Sequence, residues 1–216
     1  KKRPKTIRFL PVFKKRVRVF QRFDFRTELQ QFLSLMRIET YNIIAGKAFL
    51  MMLLLGVFQV GANAYFGLGG VYGTENYPTT DTMVFIINGS YTIPLIAVLI
   101  FYSSELLMRE RNVHVSEIVD SMPFPNWVVI GAKLAGLMLV IGAMLLVAIL
   151  TAIIVQILKG YFDFNISHYF FGLFLFFQFP IWFTCVLAVF AQVLTGNRYI
   201  GMFIVVLYFA SSIILP

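Results

Sequence analysis

The chain of 216 residues is 59% hydrophobic and only 13% charged, with 24 Phe, and its mean hydropathy is +0.82. So few charges cannot cover a soluble globule of this size, where about a quarter of residues are charged. The same numbers exclude a disordered chain, a coiled coil and, with Cys185 the single cysteine, a disulfide scaffold. The net charge of +8 belongs to one region: residues 1–37 carry twelve Lys/Arg and two acids, a net +10, and the remainder carries −2.

That region opens the chain. Phe9, Phe13, Phe20 and Phe23 are interleaved with Arg and Lys. Such a pattern can bind nucleic acid, but beside a membrane segment attraction to anionic lipids is the simpler expectation, and no nucleic-acid partner is expected. No short apolar run with a small-residue cleavage site follows, so this is not a signal peptide. Phe25, Leu29, Phe32, Leu33 and Met36 then recur at helical spacing. They predict an amphipathic helix over 24–38 lying along the inner membrane surface. Residues 1–40 read as a basic cytoplasmic arm and connecting helix, and 41–216 as a transmembrane domain.

A crossing needs about 20 mostly apolar residues. Five stretches meet this: 43–66, 83–103, 127–158, 170–194 and 199–216. The third is longer than a straight crossing and is expected to tilt or project. No stretch alternates with the period of two that a β-barrel needs. Counting Lys/Arg on the arm and loops 104–126 and 195–198 gives 15, against 1 on loops 67–82 and 159–169. The positive-inside rule then puts the N-terminus and loop 104–126 in the cytoplasm of a multi-pass protein of the cell inner (plasma) membrane. The chain begins without Met and stops at Pro216 within an apolar run, so at least one further helix is expected beyond it.

Loop 104–126 carries the most information. Ser116 can cap a short helix, Glu117 suits its positive N-terminal end, Ile118, Val119 and Met122 form an apolar patch, and Pro123 and Pro125 stop it. Held between two spans, such a helix can pass force between a cytoplasmic partner and the bundle; by periodicity alone it is equally an amphipathic turn resting on headgroups.

The sequence around it resembles the cytoplasmic loop of ATP-binding cassette type-2 permeases, the exporter-type membrane subunits. In that family a Glu-Arg pair is followed by a short coupling helix with Glu and Leu/Ile, then Pro, then a Lys in the next span. Here these are Glu110-Arg111, Glu117-Ile118, Pro123 and Lys133. MRERNVHVSEIVDSMPFPNW is most similar to a subgroup of large bacterial permeases, some fused to a C-terminal zinc aminopeptidase-like domain. Val115-Ser116 stands where members often have Gly-Thr. The resemblance runs from about Phe23 to the end. It implies an all-α, polytopic helical membrane protein: five spans of a six-helix permease half, preceded by an amphipathic interfacial helix. It also implies cytoplasmic ATP-binding subunits and a second permease half or a homodimer partner. Contact with the ATPase would fall to Glu117, Ile118 and Val119, with Glu110 and Arg111 supporting the loop.

The chain has no GxxxxGK[ST], so it cannot itself supply a P-loop. It is expected to be no enzyme and to hold no cofactor, with ATP and Mg on the partner subunit. The Gly-rich run 67–73 follows a membrane span where a phosphate loop would follow a strand, has no Lys or Arg, and reads as an exterior turn. His114 has no second His nearby, so no metal site is expected. Lys47 and Lys133 are expected to snorkel to the interface. Gln59 and Asn63, four apart in the first span, and Asn88 and Ser90 in the second are candidates for a substrate path, though polar groups in spans more often tie helices together. Gln178 and Pro180 predict a kink with a satisfied polar group, and Ala132, Gly136 and Ala143 a small-residue seam.

Two other functions fit parts of this reading: a membrane anchor or scaffold for an attached peptidase domain, and a secondary carrier. The carrier is disfavoured because Glu39, Asp81 and Glu105 all fall at span edges, not deep in a span.

Overall fold

The computed structural model describes residues 24–68, 77–112 and 125–214. All regular structure in these residues is helical, in the order α1 (Phe25–Ile44), α2 (Lys47–Phe66), α3 (Thr80–Asn112), α4 (Asn126–Leu158), α5 (Ile166–Phe170), a π-helical segment (Phe171–Phe177), α6 (Gln178–Thr195) and α7 (Arg198–Ile214). Four continuous helical stretches are long and apolar enough to cross a membrane: Lys47–Phe66, Thr80–Arg109, Asn126–Leu158 and Ile166–Thr195. The chain is thus a multi-pass helical membrane protein. The fifth expected span corresponds to α7, described over the 17 residues Arg198–Ile214.

Charge placement shows where the apolar layer lies. In α4 no charge occurs between Lys133 and Lys159, and in α3 none between Asp81 and Glu105. At 1.5 Å per residue these windows span about 37 Å and about 35 Å, close to the roughly 30 Å hydrocarbon core. Around them large apolar side chains such as Phe58, Phe85, Leu150, Phe176 and Phe183 face outward, as lipid-facing residues do. Between the helices Tyr91, Leu95, Leu99, Ile141, Met144 and Leu145 are fully enclosed.

Helix ends depart from the hydropathy profile in places. The first span begins at Lys47, not at Ile43: α1 continues through Ile43 and Ile44, then Gly46 turns extended (φ −70°, ψ 131°) and caps α2. α3 runs on past residue 103 to Asn112, because the polar residues there end the apolar run without breaking a helix. In the fourth stretch the π-helical segment precedes Pro180. Proline lacks an N–H and crowds the carbonyl four residues back, and the wider turn accommodates this. Gly196, at φ 57°, closes α6 and turns the chain into α7; only glycine adopts this region freely.

α3 sits centrally, touching α2, α4, α6 and α7, while α1 lies along α4. The close approach of α1 is made at Gly136, where a Cβ would stand 3.3 Å from Thr40 Oγ1 and 3.5 Å from Met36 O. Gly136 of the expected small-residue seam therefore faces α1. Phe32 stacks on Trp127, ring centroids 6.2 Å apart. α1 thus braces the first turns of α4, where that long helix projects beyond its charge-free window. Glu39 and Ile43 are buried and Phe32 and Met36 half-buried on its inner side, while Phe25, Leu29 and Leu33 remain exposed. The apolar stripe is split: one edge packs on protein and the other is left outward.

Candidate functional site

Two polar clusters cap the bundle at opposite ends. At the end where α1 begins, the carboxylate of Glu39 accepts a hydrogen bond from Arg109 Nη2 at 2.9 Å. The Glu39 side chain is only 7% exposed and that of Arg109 36%. Glu39 lies one turn after Met36 and two after Phe32 on the inward face of α1, and Arg109 lies on the extension of α3. The bond ties these two elements 70 residues apart in sequence. Beside it Arg198, at the start of α7, pairs with Glu105 of α3 at 3.3 Å and rests over the ring of Phe101. Lys133 does not snorkel outward as expected; it is buried at 5% exposure, because α1 covers the base of α4. Lys47 is exposed.

The opposite end is pinned mostly by neutral bonds. Gln156, fully buried, donates to the Pro78 carbonyl at 2.7 Å and accepts from the Tyr169 hydroxyl at 2.8 Å. His168 Nε2 lies 2.6 Å from an oxygen of Asp81. Asn165 caps α5 by accepting from the His168 N–H. This joins the starts of α3 and α5 to the end of α4.

Of the residues expected to meet an ATPase, Glu110 and Arg111 belong to the last turn of α3; Glu117, Ile118 and Val119 lie outside the described residues. The Gly-rich turn lies mostly outside them too, as does the basic arm up to residue 23. Asn63 Nδ2 donates to Ser90 Oγ at 2.9 Å, joining α2 to α3. Gln59 is partly exposed, and the buried Asn88 Oδ1 has no hydrogen-bond partner among the described residues. Gln178, buried at the kink, accepts through Oε1 from the Gly142 N–H at 3.3 Å and the Trp182 indole N–H at 3.0 Å, the satisfied polar group expected there. Among the described residues no group of His, Cys, Asp or Glu is arranged to hold a metal ion.

Sequence reading missed the Glu39–Arg109 pair. The available signal was that Glu39 shares a helical face with Phe32, Met36 and Ile43, an acid set in an apolar stripe. Compared with known proteins, the chain matches no family model, no curated protein and no solved structure.

Proposed function

We propose that the chain is the membrane-spanning permease component of an ATP-binding cassette transporter of the type-2 class, moving its substrate with ATP hydrolysed on a separate subunit. The reading rests on the loop that resembles the coupling loop of those permeases. The observation that carries it furthest is the Glu39–Arg109 tie. α3 is unbroken from the charge-free window to Asn112, at the head of that loop. A push on the loop would be carried along a stiff helix and, through Arg109, to α1 and the base of α4. Helices linked in this way move as one body, which a rocking bundle requires.

In this reading the Lys/Arg-rich end is cytoplasmic by the positive-inside bias. The exposed edge of α1, with Phe25, Leu29 and Leu33 outward, rests at the inner leaflet, and α7 makes a fifth crossing. A cysteine placed by Ile118→Cys tests the docking: in native membranes it should cross-link to a nucleotide-binding subunit, and ATP should change the yield. Cross-linking to lipid alone would favour a loop lying on headgroups.

A further inference from the structure

Between the start of α2 and the extension of α3 lies a cleft of about 240 Å³, to which α2 contributes Gly46, Lys47 and Ala48 and α3 contributes Tyr102, Glu105 and Arg109. We infer that this cleft binds a phosphate anion, carried by the headgroup of an anionic membrane lipid. The inference rests on the membrane-spanning fold and not on the transport reading.

Charge balance comes first. Arg109 is matched by Glu39 and Glu105 by Arg198. Lys47 forms no ion pair among the described residues, so the described lining keeps one net positive charge. Arg109 is still 36% exposed, and its fork of five N–H donors exceeds what one carboxylate oxygen uses. The cap of α2 is Gly46, which offers no side-chain acceptor to the first turn, where the helix dipole is positive. A Cβ at Gly46 would stand 3.0 Å from Ile43 O and 3.2 Å from the Tyr102 hydroxyl, so the tight turn at this edge of the cleft leaves little room for any other residue.

Size and position then choose the carrier. The volume is below the roughly 300–1,000 Å³ of drug-sized pockets and suits a headgroup. Lys47 marks the edge of the charge-free window of α2. Just beyond it, Leu50 and Met51 are 53% and 66% exposed, an apolar wall against which acyl chains can lie. A phosphate held by Lys47 and Arg109 at this level has its lipid tails in hydrocarbon.

The test uses the full chain, purified in mild detergent and mixed with phosphatidylglycerol, phosphatidylcholine or inorganic phosphate. Native mass spectrometry counts retained lipid, and thermal melting reports phosphate. The wild type should retain one phosphatidylglycerol in preference to phosphatidylcholine. Lys47→Gln should lower that occupancy about tenfold, the loss expected for one charge-assisted hydrogen bond, and Lys47→Arg should restore it. Lys159→Gln, at the other end of the bundle, and Lys14→Gln with Lys15→Gln, in the basic arm, should leave it unchanged. Lys47-dependent stabilisation by inorganic phosphate, with no lipid retained, would keep the phosphate site and assign it a soluble ligand. Retention that is insensitive to Lys47, or equally sensitive to Lys159 or the arm, would overturn the site.

Discussion

The Glu39–Arg109 pair predicts an asymmetry between its two halves. In Arg109→Gln, the Glu39 carboxylate stays enclosed, its side chain 7% exposed, without its guanidinium. Leaving one ion of a buried pair costs about 3–5 kcal/mol; the opening on the Arg109 side puts this case near the low end, at about 3 kcal/mol. In Glu39→Gln, Arg109 is already 36% exposed and water can solvate it, so the loss is about 1 kcal/mol. The double variant leaves no stranded charge and should cost about 2 kcal/mol, a coupling of about 2 kcal/mol between the sites. Unfolding by sodium dodecyl sulfate in mixed micelles, followed by tryptophan emission, measures this. Trp127 stacks on Phe32, so its signal reports the release of α1 from α4. Equal costs for the two single variants, summing to the double, would mean that the pair is solvated and does not brace α1 against α3.

Three further outcomes follow from particular contacts. Gly56→Ala sets a methyl about 2.5 Å from the ring of Tyr91, which is fully enclosed; overpacking should cost about 1–3 kcal/mol, and Tyr91→Leu should recover much of it in the same unfolding assay. Gln156→Leu leaves the Tyr169 hydroxyl and the Pro78 carbonyl unpaired and should destabilise by about 1–3 kcal/mol for each buried group left unsatisfied, whereas the exposed Gln30→Leu should be near neutral. Cysteines at Gly70 and Asn165 should label from outside intact cells and one at Asn112 should not; external labelling at Asn112 would reverse the orientation.

Much of the fold was legible because lipid imposes a simple rule: a crossing carries its backbone bonds internally and its charges at its ends. The apolar runs 83–103 and 127–158 therefore stood out. Hydropathy marks the edge of the apolar layer, however, and not the end of a helix. For that reason the residues up to Asn112 read as loop although α3 includes them. The two edges of the apolar stripe on α1 could not be told apart for a different reason. Phe25, Leu29 and Leu33 share a stripe with Phe32 and Met36, and periodicity cannot say which edge meets protein. Glu39 looked like a boundary residue because its burial depends on Arg109 and on the base of α4, which a local window does not contain. The widened turn before Pro180 was half legible: proline predicted the disturbance, but the surrounding packing sets its form.

The most direct test of the permease reading is ATP hydrolysis by the chain purified, with whatever it retains, from its native membranes. The account predicts a vanadate-sensitive ATPase activity that co-purifies with it. Glu117→Ala and Ile118→Ala should lower both that activity and the amount of ATPase retained. The Ile118 change should weaken binding by about 2 kcal/mol, as for an interface anchor, while membrane insertion stays normal. A preparation that hydrolyses no ATP above background, or variants that keep full partner binding and full activity, would contradict the account.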